Sequence, residues 1–162
     1  MNVILSGYVP GAIGRIVELH AAYYHKHWGF GLFFECKVAT ELSEFLRRLE
    51  EGRDEFWVAR VGGEIAGAVA IDGVNAKTKG AHLRWFIVAP EYQGKGVGER
   101  LLKEAIAFCK KMNFPRVYLW TFEGLHAARH LYEKFGFSRC EQQEGKQWGK
   151  TVTEQRFELV VR

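Results

Sequence analysis

The chain has 162 residues, 48% hydrophobic and 26% charged, which gives enough apolar surface for a substantial core in one domain and rules out a disordered tract. No apolar run approaches the roughly 20 residues that span a bilayer, and residues 1–8 lack the basic region and long apolar core of a signal peptide, so no membrane partner and a cytoplasmic location are expected. The net charge of +4 is local: residues 93–116 carry six basic and two acidic side chains, an excess equal to that of the whole chain, which favours a polyanionic small molecule there over a nucleic-acid partner.

Residues 2–8 form a short strand candidate. From Gly11 to His25, Ile13, Val17, His20 and Tyr24 recur at helical spacing, and a turn follows in His27-Trp-Gly-Phe-Gly. A second amphipathic helix is expected over 35–50, with Val38, Leu42, Phe45 and Leu49 on one face and Gly52 as its stop. Residues 56–61 and 64–71, joined across Gly62-Gly63, read as a β-hairpin. After a polar loop, residues 81–88 form a strand that leads through a glycine-rich turn into a helix ending near Met112. That helix turns Val97, Leu101, Ala105, Ile106, Cys109 and Met112 to the core. Residues 116–121 form a strand, 124–135 a helix stopped by Gly136, and 137–143 and 152–161 two closing strands.

The order β-α-α-β-β-β-α-β-α-β-β predicts a mixed α/β fold, a central twisted sheet with helices on both faces, in a single domain over 1–162. Cys36, Cys109 and Cys140 are odd in number and widely spaced, so they read as reduced thiols. His25-x-His27 lacks further ligands, and no metal is expected.

The segment Ala89-Pro90-Glu91-Tyr92-Gln93-Gly94-Lys95-Gly96-Val97-Gly98-Glu99-Arg100 carries the most chemistry. It reads as strand, tight turn, helix start. The first N–H groups of a helix have no intrahelical partner and sit at the positive end of its dipole, which makes an anion site. Glycines at 94, 96 and 98 keep Cβ atoms out of the way of a phosphate. The P-loop pattern is absent, and Gly94-Lys-Gly96-Val-Gly98-Glu places its third glycine one residue short of a dinucleotide fingerprint. Pyrophosphate binding and a plain glycine-rich turn are the two readings left.

Gln93-x-x-Gly96-x-Gly98 resembles the acetyl-CoA signature of the GCN5-related N-acetyltransferase (GNAT) family, written Gln/Arg-x-x-Gly-x-Gly/Ala. A second segment, Ala128-Arg-His-Leu-Tyr132-Glu-Lys-Phe-Gly136-Phe137, is similar to the family's other recurrent motif, and the element order is the one expected of the family. The two motifs cover residues 81 to 140. Pro10-Gly11, Trp28-Gly-Phe and Gln147-Trp148-Gly149 resemble, more weakly, a subgroup often fused to MarR-type regulators; the start at the first strand predicts that no regulator domain is present.

The resemblance implies acetyl transfer from acetyl-CoA to an amine by direct attack, with no metal and no acyl-enzyme. Backbone groups of Phe86, Ile87 and Val88 would grip the pantetheine arm, and amides of Gly94, Gly96, Val97 and Gly98 the pyrophosphate. Gln93 would close the turn, and Lys95 or Arg100 would reach phosphates. Tyr132 stands at the family's general-acid position, although on its helix face an aromatic side chain also suits the core. Family members commonly carry Asn where this chain has Leu125, so that cofactor contact is expected to be missing or supplied otherwise. His82 falls near the place of the base, with Glu91 and His130 as weaker candidates.

Acceptor specificity is expected from the first two helices, where Tyr23, Tyr24, His25, His27, Trp28, Phe30 and Phe33 cluster. Arg84 stands near an acidic residue of polyamine-type relatives. It reverses that charge, which disfavours a polyamine and allows an acceptor with a carboxylate. The implied partner is a small-molecule or peptide amine, with a homodimer possible. A non-catalytic acetyl-CoA-binding regulatory module is the alternative.

Overall fold

The computed structural model describes residues 1–161. Its elements are β1 (Val3–Ser6), α1 (Ala12–Trp28), α2 (Leu32–Arg47), β2 (Glu55–Val61), β3 (Glu64–Asp72), β4 (Ala81–Val88), α3 (Val97–Lys111), β5 (Arg116–Phe122), α4 (His126–Lys134), β6 (Ser138–Gly145) and β7 (Val152–Val160), with a 3-10 turn at Pro90–Tyr92. The strands form one seven-stranded sheet in the order β1-β2-β3-β4-β5-β7-β6. Every neighbouring pair is antiparallel except β4 and β5, which are parallel. This is the mixed α/β architecture that the element order predicts.

Local chemistry explains most boundaries. Gly62 and Gly63 have φ of 58° and 83°, the two positive values that a two-residue hairpin turn matched to sheet twist requires. Helix α1 runs three residues past the expected His25. Gly29 takes the left-handed conformation and donates its N–H to the His25 carbonyl, so the helix is capped there and Trp28 stays helical. Helix α2 starts at Leu32, earlier than expected, and ends at Arg47. Gly52 does not stop it; at φ 82° that glycine turns the loop into β2 instead.

Two cores flank the sheet. Under α3 and α4 lie Val69, Ile71, Leu83, Leu101, Ala105, Leu119 and Phe157. Under α1 and α2 lie Ile16, Phe34, Leu42, Phe45, Val58, Ala70 and Phe122. Fully burying one such side chain contributes about 1.5–3 kcal/mol, so the amphipathic faces of α1, α2 and α3 dock firmly. Gly67 lets β3 and β4 approach: a Cβ there would lie 2.6 Å from the Ile87 carbonyl oxygen.

Candidate active site

The site follows from a failure of pairing. β4 and β5 are bonded only at Ala81↔Val117 and His82↔Tyr118, after which β5 continues against β7 along its whole length. The two strands therefore diverge beyond His82. A bulge assists the divergence: Ala70 faces Arg84 and Ala68 faces Ile87, so Trp85 and Phe86 together oppose one residue of β3. Trp85 adopts φ 50°, a left-handed conformation that costs a bulky residue about 1–2 kcal/mol. The bulge separates its two aromatics, with Trp85 packed in the α1/α2 core and Phe86 against the core below α3.

At the wide end of the opening lies the glycine-rich turn. Gly94 and Gly96 have φ of 73° and 85°, and a Cβ at either would meet nothing within 4 Å, so both face open space. Gly96 caps α3 without any side-chain hydrogen bond, which leaves the first amides of the helix free to face an anion. Gln93 Nε2 donates to the Val88 carbonyl at 3.1 Å, tying the turn to the end of β4. Gly98 has a packing reason beside the one expected. A Cβ there would sit 3.1 Å from Phe86 and 3.3 Å from both Leu131 and Val88, so its absence lets α3 pack on β4 and α4.

A cleft of about 660 Å³ runs along this turn, lined by Phe86, Ile87, Val88, Gln93, Gly94, Gly96 and Gly98 on one side and by residues 124–128, His130 and Leu131 on the other. Of the residues singled out in the sequence, Val97 is buried in the core and can offer only backbone. Lys95 stands outside the cleft lining, with its Nζ 5.9 Å from the centre of the Tyr92 ring. Arg100 points away to β1, where it donates to the Val3 carbonyl. Leu125 lines the cleft at the N-terminus of α4 and offers no polar contact there.

A second, smaller cavity of about 230 Å³ opens on the α1/α2 side and holds His82 and Tyr132. The cavity and the cleft share Tyr24, Phe86, Leu125 and Ala128, so they meet there. Tyr132 is 6% exposed and packs against Phe86, Phe137 and Phe157 with ring centres 5.9, 6.0 and 6.3 Å away. Burial pushes its phenol, and that of Tyr24, above the usual tyrosine value, so both hold their protons. His82 stacks on Tyr118 with centres 4.5 Å apart; burial, with Arg84 nearby, brings it down to about 3.

The sequence marked His20 only as part of a helical face, yet it lines the same cavity. Its Nδ1 lies 2.8 Å from the Ile16 carbonyl oxygen. A carbonyl only accepts, so Nδ1 carries the proton and Nε2 keeps a lone pair. Burial lowers His20 to about 4. A histidine on an apolar helix face was the available signal.

Charged side chains rim this cavity. Glu41 accepts from Lys37 and from Arg84, each at 2.6 Å. Arg84 also reaches Asp72 at 3.3 Å and lies 4.1 Å over the Trp85 ring. Burial would raise the Asp72 carboxyl, but its hydrogen bond from Arg48 at 2.6 Å holds it below the usual carboxylate value. Tyr24 lines both spaces and Tyr23 the cleft. Phe30 is core, and His25 Nδ1 is 2.9 Å from the Phe30 carbonyl oxygen. Among the described residues, no group of three or more His, Cys, Asp or Glu side chains could hold a metal ion, and no helix is long and apolar enough to cross a membrane.

A family model described as "Acetyltransferase (GNAT) family" matches residues 14–137. N-acetylaspartate synthetase of Xenopus tropicalis is 31% identical over 104 residues, covering 64% of this chain and 38% of its own. Spermidine N(1)-acetyltransferase of Escherichia coli K12 is 32% identical over 101 residues, covering 61% and 54%. The chain thus spans about half the length of the curated relatives it matches. Among solved structures, spermidine N-acetyltransferase from Vibrio cholerae, in complex with CoA and spermine, superposes with a TM-score of 0.74 at 21% identity, over 98% of this chain and 95% of that one. That likeness concerns the fold.

Proposed function

The chain belongs to the GNAT acetyltransferase family, and from that membership we propose that it is an acetyl-CoA-dependent N-acetyltransferase acting on a primary amine by direct attack. One observation carries the reading: a phosphate-sized cradle at a helix N-terminus opens into a cleft that meets a second cavity beside Phe86 and Tyr24. The residues fit the cosubstrate. Uncapped amides at the start of α3 and the open space over Gly94 and Gly96 suit its pyrophosphate, and the unpaired stretch of β4 suits an amide-bearing arm. Acetyl-CoA supplies an activated acetyl thioester.

The remaining work falls to side chains. Val88 and Phe86 orient the arm through backbone groups, with Gln93 holding the turn against Val88. Tyr132 is the proposed general acid. Its buried phenol is fully protonated at neutral pH, and it delivers that proton to the sulfur that leaves as the new N–C bond forms. His82 is the proposed proton acceptor for the incoming amine, directly or through water. Held down to about 3, it is neutral and accepts a hydrogen bond, so the amine is expected to enter already unprotonated. Leu125 leaves the apolar wall of the cleft without the polar contact of the family's Asn.

A finer place among acetyltransferases of the kind fused to MarR-type regulators rests only on sequence, on Pro10-Gly11, Tyr24, Trp28-Gly29-Phe30, Phe34-Glu35, Gln147-Trp148-Gly149 and Glu154-Gln155. The three free cysteines suit a reducing compartment such as the cytosol. Release of free thiol from acetyl-CoA, measured against pooled amines, amino acids and peptides, tests the proposal. Release with one pool is expected; acetyl-CoA binding with no release from any pool would make the chain a regulatory acetyl-CoA-binding module.

A further inference from the structure

We propose that the smaller cavity selects an amino-acid-type acceptor, a primary amine bearing a carboxylate and an apolar or aromatic body, with Lys37 and Arg84 as the carboxylate's partners. The inference rests on the transferase reading and names the substrate class of that same site.

Helix α2 turns Phe34, Lys37, Val38 and Glu41 toward the cavity, one stripe at helical spacing. The charged groups of the lining are Lys37, Glu41 and Arg84, for a formal excess of one positive charge. Its two histidines, His20 and His82, add none at neutral pH. Glu41 is the only carboxylate among the lining residues, and both its oxygens are engaged, Oε2 by Lys37 and Oε1 by Arg84, each at 2.6 Å. An acceptor with a second ammonium would meet two cations and no free carboxylate, a like-charge arrangement that selects against it.

An anionic acceptor meets the opposite situation. Arg84 is held on three sides, by Glu41, by Asp72 behind it and by the Trp85 ring 4.1 Å away. A guanidinium fixed in that way loses little freedom when it gains another partner. Lys37 spends one ammonium hydrogen on Glu41, so two more can reach a ligand. The other walls are aromatic, with Tyr24, Phe34, Trp85, Phe122 and Trp148 around the space. At about 230 Å³ the cavity suits one amino-acid-sized body better than an extended polyamine.

The test compares phenylalanine, phenylalaninamide, phenethylamine and spermidine as acceptors with acetyl-CoA, and measures by calorimetry how each binds the protein–coenzyme A complex. Phenylalanine is expected to exceed phenethylamine and spermidine at least ten-fold in kcat/KM and in affinity. Lys37→Gln and Arg84→Gln should each shrink the phenylalanine-to-phenethylamine ratio several-fold. A preference for phenethylamine or spermidine, or a ratio that neither variant moves, overturns this inference while acetyl transfer to those amines leaves the transferase reading standing. If none of the four is acetylated, the calorimetric ratio alone decides whether the cavity prefers a carboxylate, and the pooled-acceptor assay decides the transferase reading.

Discussion

His82 and Tyr118 stack with ring centres 4.5 Å apart at the last position where β4 and β5 are paired, so the two rings form the apex from which the strands separate. Of the two, His82 lines the smaller cavity. With His82 at about 3 and His20 at about 4, neither titrates above pH 5. The acetylation rate should rise with pH along the acceptor's own ammonium ionisation, with no inflection near 6 to 7 from either ring. His82→Gln should lower kcat without changing the shape of the profile above pH 5. A lower limb near 6.5 that vanishes in the variant would contradict the assignment.

Tyr132→Phe removes one hydroxyl from a ring already packed among aromatics, so thermal stability should hold. Acid–base groups contribute 10²-fold or more, and kcat should fall by about that factor. The affinity for acetyl-CoA should stay within about two-fold, because Tyr132 lines the smaller cavity and not the cleft. Steady-state kinetics and calorimetry together read the split. Full activity would remove the acid role.

The glycines of the turn should divide into two kinds. Gly96→Ala places a Cβ in open space at φ 85°, a strained backbone at the proposed phosphate position, so acetyl-CoA affinity should fall at least ten-fold. Gly98→Val instead drives a side chain into Phe86, Leu131 and Val88, and overpacking of that kind costs about 1–3 kcal/mol. Its melting temperature should drop by several degrees. Equal effects of both changes on melting and affinity would refute the division.

His20 predicts an acid limit to stability. Its folded value of about 4 lies below the ordinary 6.5, so the unfolded chain takes up a proton first as pH falls. The contribution is complete above 6.5 and is lost between there and about 4, amounting to about 3 kcal/mol for a ring buried this deeply. His82 acts in the same direction. Thermal melts from pH 7 to 5 should show a steep decline in the parent protein and a shallower one in His20→Gln.

Much of this was legible in the sequence because the signals are local. Strand β4 spans 81–88 as expected, and the turn that follows carries its own glycines and its own helix start. The hairpin at Gly62-Gly63 was equally readable. What escaped depends on partners distant in the chain. No periodicity states that β7 enters between β5 and β6, or that Trp85 leaves the β conformation where β3 and β4 fall out of step. Arg100 looked like a phosphate ligand by proximity, yet it follows the outer face of α3 to β1, a strand 97 positions earlier. Glu41 gave no signal at all. Its place at the cavity needs α2 to lie across β4, and Arg84, 43 residues on, to meet it.

The strand order also constrains how the molecule can be made. β5 takes its only long partner from β7, whose pairing runs from Arg116↔Val160 to Phe122↔Glu154. A chain emerging from the ribosome can close the β2–β3–β4 meander early, since those strands follow one another, but β5 stays a bare edge until Val160 has been released. The half of the sheet on which Tyr132 of α4 packs, through Phe157 of β7, is then completed last. Nascent chains stalled before β7 should present that edge to chaperones or to one another, while the part built around β2, β3 and β4 is already formed.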